Sequence, residues 1–184
     1  MDDPAGALVR DTSRWLERAV IGLNLCPFAK AVHVKRQIHY AVSAATDETR
    51  LLADLAKELD ELVAIDAASR ETTLLIIPNG LRDFLDFNDF MGEAEQLVSA
   101  RELEGVIQLA SFHPDYQFAG TEPDDITNFT NRSPYPTIHL LREESIERAV
   151  NAFPQPEAIY EANMRTLREL GVQGWTALDV GPSS

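Results

Sequence analysis

Hydrophobic residues recur along this chain with two different periods, and the longer period marks helices. Spacings of three and four residues predict a first helix over about residues 5–24, which Pro27 keeps from continuing. The triplet Thr46-Asp47-Glu48 has the composition of a helix start, and leucines at helical spacing follow it as far as Val63. Further helices are predicted from Phe84 to about Gly105, over 145–150, and from the prolines at 154 and 156 to Gly171.

Four other stretches predict strands. Residues 31–42 alternate between an apolar face and a polar face that carries His33 and His39. The segments "TTLLIIP" and "VIQLASF" are apolar on both faces, as is typical of central strands, and "YPTIHLLR" begins a fourth strand. Because helices separate the strands, we predict an α/β fold, with α+β as the alternative. The expected architecture is one domain over residues 1–184, with a central mixed sheet of about four strands covered by helices. Its ordered core would span residues 5–172 and its C-terminal tail would be flexible.

Charge and cysteine content narrow the possible partners. The 184 residues carry 30 acidic and 16 basic side chains, a formal charge of −14. Such a field repels nucleic acid and anionic lipid, so we expect neither as a partner, whereas a small-molecule ligand is compatible with it. One cysteine excludes an intramolecular disulfide, and no apolar run approaches the roughly 18 residues of a membrane span. The N-terminal stretch, with its scattered charges, has the composition of neither a signal nor a transit peptide, so we predict a cytoplasmic protein.

A polar, aromatic and proline-punctuated loop of about residues 113–133 interrupts the last two predicted strands. A loop of this length inside a compact domain is commonly functional. If the second and third strands are parallel, they end at one edge of the sheet, where an antiparallel fourth strand would begin. We therefore expect Asn79, His113, Asp115, Arg132 and Tyr135 to converge there.

Each of these residues has a functional and a structural interpretation. His113 could be a general acid or base, or only bond the loop backbone. Arg132 could anchor an anion, or pair with nearby acids. Asn131 and Ser133 could donate to a ligand, although both residue types also form turns, and Tyr135 could orient a ligand or simply pack.

Cys26 in "LNLCPFAK" is the remaining reactive side chain. It could be a nucleophile, a redox centre or a metal ligand, or a buried structural thiol. It follows a helix, whose negative end disfavours a thiolate, and the predicted strand order places it far from His113. For His33 and His39 the local sequence offers no third or fourth ligand, so we predict no metal site there.

The segments "LNLCPFA", "LASFHPDYQF" and "NRSPYPTIHLLRE" resemble a bacterial family known only as a domain of unknown function, numbered fourteen-fifteen. The resemblance extends from about Trp15 to Gly171. It implies a single-domain cytoplasmic protein, and Cys26, His113, Asn131, Arg132, Ser133 and Tyr135 match its motif positions. It implies no substrate, cofactor or reaction.

Our leading hypothesis is a small enzyme that acts on a small polar or anionic metabolite at a pocket lined by Cys26, His113 and Arg132. Tyr135 is a third catalytic candidate, and Asn79, Asp115, Asn131 and Ser133 are candidate ligand contacts. One alternative is a non-catalytic protein that docks a partner through the aromatic residues of the 113–135 loop. Another is a metal- or haem-binding protein. The sequence defines neither the cofactor nor the oligomeric state.

Overall fold

The computed structural model describes residues 4–153 and 155–183. Four strands alternate with helices along most of the chain. The strands are β1 (Ile38–Val42), β2 (Thr72–Ile76), β3 (Ile107–Phe112) and β4 (Thr137–Arg142). The α-helices are α1 (Pro4–Trp15), α2 (Ala29–Val34), α3 (Glu48–Ala64), α4 (Phe84–Ala100), α5 (Glu143–Ala152) and α6 (Pro156–Ala177). A π-helix (Leu16–Ile21) continues α1, and a 3₁₀-helix (Ile126–Asn131) lies in the long loop.

The strands form one mixed sheet in the order β1-β2-β4-β3. β1 and β2 are parallel, and β4 is antiparallel to both β2 and β3, so β4 begins at the edge where β2 and β3 end. The register pairs Leu74 with His139 and His139 with Ala110, which places these three side chains on one face. This arrangement confirms the predicted α/β fold with a mixed four-stranded sheet.

Helices α3 and α4 cover the other face of the sheet. Their starts are capped by Asp47, which accepts from the Arg50 N–H, and by Asp83, which accepts from the Leu85 and Asp86 N–H groups. The apolar stripes of both helices pack on Leu75, Ile77, Ile138 and Leu140 to form the main core. Burial of these stripes is the principal reason that the two helices are held against the sheet.

The His139 face is covered by α1, the π-helix and the C-terminal residues. Trp15, Leu16, Ala19, Val20 and Val180 form a second buried cluster there. Arg14 and Arg18 donate to the carbonyls of Gly181 and Leu178, so the chain returns to α1 after α6. None of the described helices combines the length and the apolar composition needed to cross a bilayer.

Two predicted boundaries are wrong. Residues 31–37 are not part of a strand, because α2 extends to Val34 and Arg36 then adopts a left-handed φ of 57° before β1 begins at Ile38. His33 therefore belongs to a helix and does not share a strand face with His39. The final helical region does not end at Gly171; a φ of 65° and ψ of 174° kink the chain there, and helical turns continue to Ala177.

Candidate functional site

The polar residues of the long loop are largely used to hold the loop itself together. Asn128 is fully buried, and its Oδ1 accepts from the Phe118 N–H at 2.9 Å. The Thr121 hydroxyl lies 2.8 Å from this oxygen and 2.8 Å from the Phe118 carbonyl, and its one proton is shared between them. Asn128 Nδ2 donates to the Glu122 carbonyl at 2.8 Å. Asp125 caps the 3₁₀-helix by accepting from the N–H and hydroxyl of Thr127. These bonds satisfy backbone groups that a loop of this length would otherwise leave unpaired.

The predicted ligand contacts at the end of the loop also bind the chain. Arg132 donates to the carbonyls of Tyr116 at 3.2 Å and Pro123 at 2.6 Å, and its guanidinium lies 4.4 Å from the centre of the Phe129 ring. Asn131 Nδ2 donates to the Ser111 carbonyl, and Ser133 Oγ donates to the Tyr135 carbonyl. The Arg132 guanidinium thus cross-links two parts of the loop through these hydrogen bonds.

His113 is fully buried, with both ring nitrogens in hydrogen bonds to the backbone. Nδ1 accepts from the Asp115 N–H at 3.0 Å, so the proton is on Nε2, which donates to the Leu81 carbonyl at 2.9 Å. The rings of Phe84 and Phe87 pack against the imidazole, and burial lowers its pKa. A neutral imidazole with both nitrogens engaged has no free atom with which to contact a ligand.

Tyr135, Asp115 and Asn79 occupy three different environments. The Tyr135 hydroxyl donates to Asp11 Oδ2 at 2.7 Å, and burial, with Asp11 beside it, raises the pKa of Tyr135 to about 12. Asp115 and Asn79 are exposed. His113 and Arg132 are thus both hydrogen-bonded to backbone groups, and the convergence of the five predicted residues on one ligand stays a prediction.

The aromatic residues of the loop pack inward. Phe84, Tyr116, Phe118 and Tyr160 form a continuous series of ring contacts with centroid separations of 5.0–6.2 Å, and Phe129 packs on Trp175 at 5.2 Å. Tyr116, Phe118 and Phe129 are all partly buried by these contacts. They attach the loop to α4 and α6, and docking of a partner through this loop stays an untested alternative.

A cavity of about 280 Å³ lies between the His139 face of the sheet and the helices that cover it. Its walls come from the π-helix, the 25–34 region, all the strands and α5, and they are mostly apolar. The lining includes Trp15, Cys26, Phe112, His139, Arg142 and Ala149. A more open depression of about 540 Å³ follows α6 alone. Because one helix cannot enclose a ligand, we place the candidate site in the cavity.

His139 is the principal polar group of the cavity. Thr72 Oγ1 lies 2.6 Å from the Leu140 carbonyl and 2.6 Å from His139 Nε2. The threonine hydroxyl has one proton, which it donates to the carbonyl, so it accepts from Nε2–H. No residue within 4–153 or 155–183 donates to Nδ1. Burial lowers the pKa of His139 to about 4, so the imidazole is neutral and Nδ1 is a hydrogen-bond acceptor.

Cys26 and Trp15 also line this cavity. Cys26 is half-buried, and of the predicted site residues it alone lies in the wall of this cavity. Trp15 packs edge-on against Phe112 with a centroid separation of 5.1 Å, and its buried Nε1–H has no hydrogen-bond partner in the described part of the chain. The candidate site therefore combines a thiol, an imidazole acceptor and a buried indole N–H.

A family model described as "Protein of unknown function (DUF1415)" matches residues 7–177, nearly the whole chain. The chain belongs to this family. Neither the search of curated proteins nor that of solved structures found a match for the DUF1415 chain. The resemblance seen in the three sequence motifs is thereby confirmed.

The three motifs of this DUF1415 chain contribute to the structure in different ways. The segment "LNLCPFA" supplies Cys26 and Phe28 to the cavity wall. The segments "LASFHPDYQF" and "NRSPYP" mainly build the loop network around His113 and Arg132. His139, just after the third motif's prolines, was missed at the sequence level. Its signal was a single polar residue between Ile138 and Leu140 in an otherwise apolar strand, which is also compatible with a solvent-facing position.

Proposed function

We propose that this DUF1415 protein binds a small, largely apolar molecule that donates one hydrogen bond, in the cavity lined by Cys26 and His139. The observation that carries the proposal is a mostly apolar cavity lined by His139, whose Nδ1 is an acceptor without a donor among the described residues. Glu71 also lines the cavity, but its carboxylate is paired with Arg148 at 3.1 Å. Apolar walls with a few placed polar groups are typical of small-molecule sites. A ligand O–H or N–H directed at Nδ1 would be recognised by that atom.

The size and charge of the site restrict the ligand further. The cavity is larger than the roughly 150 Å³ that holds benzene and near the lower end of drug-sized pockets, about 300 Å³. Arg142, the arginine in the wall, uses its guanidinium to donate to the carbonyls of Leu62, Ile65 and Arg70, in the last turn of α3 and the loop that follows it. Because this cation is engaged, an uncharged ligand of about two fused rings fits the site better than the anionic metabolite expected from the sequence.

Binding is better supported than acid–base catalysis. A histidine whose pKa is about 4 holds a proton poorly at neutral pH, so His139 suits the role of acceptor more than that of proton shuttle. The enzyme hypothesis now depends on Cys26 as a nucleophile in the same cavity, with the acid/base role moved from His113 to His139. A cytoplasmic location remains a prediction.

The test compares two isosteric probes, beta-naphthol and beta-methylnaphthalene, which differ in a hydroxyl and a methyl group. We expect both to bind the wild type, with beta-naphthol tighter by about fivefold, because one neutral hydrogen bond contributes about 1 kcal/mol. In His139→Leu the preference should disappear while binding of the methyl compound persists. Fluorescence titration at neutral pH gives both affinities.

A second pair of variants tests the location. Ala149 lines the cavity, and Ala152 lies three residues further along α5 at an exposed position. Ala149→Phe should fill the cavity and abolish binding of both probes, whereas Ala152→Phe should leave both affinities unchanged. Equal affinities for the two probes in the wild type, or loss of binding in both variants, would contradict the proposal.

A further inference from the structure

On the sheet face opposite the cavity, a histidine and two carboxylates come together from separate parts of the chain. His39 lies on β1, and Glu58 and Glu61 lie three residues apart on the side of α3 that faces it. One ligand atom from each of the three side chains can be chosen so that all lie within 4.8 Å of one another. The local sequence around His39 does not reveal this set, because α3 supplies the other two members.

The Glu58 carboxylate is unusually placed for a charged group. Its residue is only 7 % exposed, and its Oε2 has no hydrogen-bond partner in the described part of the chain. The nearest cationic groups, His39 Nε2 and Arg70 Nη1, are each 3.6 Å from this oxygen. A buried carboxylate oxygen normally accepts several hydrogen bonds or binds a cation. Glu58 Oε2 is therefore directed at His39 without a bonded partner.

Arg70 interacts with the carboxylates of both Glu58 and Glu61. Arg70 Nη1 lies 3.3 Å from Glu61 Oε2 and 3.6 Å from Glu58 Oε2. Lys57 Nζ also lies 3.7 Å from Glu61 Oε1, so the two cations approach Glu61 most closely, and no group contacts Glu58 Oε2 within hydrogen-bond distance among the described residues. A divalent ion at the position toward which all three ligand atoms converge would give Glu58 Oε2 the direct partner that it lacks.

We propose that His39, Glu58 and Glu61 form a binding site for a divalent first-row transition ion, represented by Zn²⁺. Imidazole nitrogen suits zinc and its neighbours, whereas Mg²⁺ and Ca²⁺ prefer oxygen ligands alone. Ligand atoms about 2.1 Å from a tetrahedral ion lie about 3.4 Å apart, close to the 3.6 Å between His39 Nε2 and Glu58 Oε2. His39 and Glu61 are partly exposed, so an ion can enter from solvent, and water can complete its coordination.

The proposed site is independent of the ligand cavity, which lies on the other side of the sheet. Arg70 acts as an internal competitor of the ion because it interacts with the same two carboxylates. Removing its charge should therefore strengthen ion binding. This expectation distinguishes a coordination site from a purely structural ion-pair cluster, in which the loss of Arg70 would only destabilise the fold.

The test uses the full-length protein with ¹⁵N-labelled histidine rings, of which the chain has four, at positions 33, 39, 113 and 139. Titration with Zn²⁺ should shift the ring nitrogens of His39 and leave the other three unchanged, whereas equal concentrations of Mg²⁺ should shift none. His39→Gln should weaken Zn²⁺ binding by about tenfold or more, and Arg70→Gln should tighten it. His33→Gln is the matched control, because His33 also lies 3.5 Å from one glutamate, Glu17, but is not a member of the set.

Several outcomes would overturn the proposal. A zinc-dependent shift of His139 in place of His39 would assign the ion to the cavity thiol. A shift of His33, or an equal response to Mg²⁺, would indicate unspecific binding to an acidic surface. If no histidine shifts, the cluster is an ion-pair network only. The wild-type spectrum decides between these outcomes even if a variant fails to fold.

Discussion

Protonation of His139 is a perturbation whose cost can be worked out from the structure. Its Nε2–H donates to Thr72, and the carboxylate in the same cavity wall, Glu71, is paired with Arg148, so a second proton would place a positive charge on a ring without a carboxylate partner. Burial accordingly lowers the pKa of His139 from 6.5 to about 4. Because the folded state binds this proton less tightly than the unfolded state, acid favours unfolding.

The expected magnitude follows from the two pKa values. A difference between 6.5 and about 4 corresponds to about 3 kcal/mol, at about 1.4 kcal/mol per pH unit. This stability is fully present above pH 6.5 and is lost as the pH falls toward 4. Between pH 7.5 and pH 5 the loss is about 2 kcal/mol, from the same linkage relation. With a urea m-value of about 2 kcal/mol/M, the unfolding midpoint should fall by about 1 M from this residue alone.

The assay is urea unfolding at pH 7.5 and pH 5 for the wild type and for His139→Gln, whose amide does not titrate but can still donate to Thr72. His39 and His113 also have lowered pKa values and titrate in both proteins, so the difference between the proteins isolates His139. We expect the wild type to lose about 2 kcal/mol more than the variant. If both proteins lose the same stability, His139 is not a buried neutral imidazole and our description of the cavity is incorrect.

The remaining predictions concern the loop. Asn128→Ala removes the bonds to the Phe118 N–H and the Glu122 carbonyl from a buried site and should lower the free energy of unfolding by about 2–4 kcal/mol, whereas Asn131→Ala, which removes one side-chain bond, should cost about 1 kcal/mol. Equal costs in urea unfolding would argue against the Asn128 network. Tyr135→Phe removes the bond to Asp11 and should cost about 1.5–3 kcal/mol near neutral pH. Contacts with Ser183 and Arg14 lower the pKa of Asp11 despite its burial, so the stability it contributes is lost as the pH falls below about 4. The loss in the free energy of unfolding caused by Tyr135→Phe should therefore shrink below that pH. A loss that does not change with pH would contradict a charged Asp11 as the acceptor of the Tyr135 hydroxyl.

The regular elements were predictable because their signals are local. The alternation of apolar and polar residues, the Asp47 cap and the two apolar strands each depend on neighbours in the sequence. The error over residues 31–37 also has a local cause. A short amphipathic stretch fits both the helical and the strand period, and the residue that adopts the left-handed φ after α2 is Arg36 and not a glycine. Nothing in the residue types distinguishes these two conformations.

The candidate sites were less predictable because they depend on contacts between distant residues. The polar residues of the 113–133 loop suggested a ligand, but asparagine and arginine donate equally well to the backbone of their own loop, as Asn128 and Arg132 do. His139 and Cys26 line the same cavity, and His39 lies 3.6 Å from Glu58, only when the sheet and helices have packed. The sequence pattern could locate reactive side chains but not the atoms that face them.

The single cysteine offers the most direct test of the cavity as a binding site. We would measure the rate at which iodoacetamide alkylates Cys26 in the native protein as the concentration of beta-naphthol is raised. If the probe occupies the cavity that Cys26 lines, the rate should fall and saturate at the concentration that saturates the fluorescence titration. An alkylation rate that stays constant while the probe is bound would show that the ligand lies elsewhere, and would contradict our central claim.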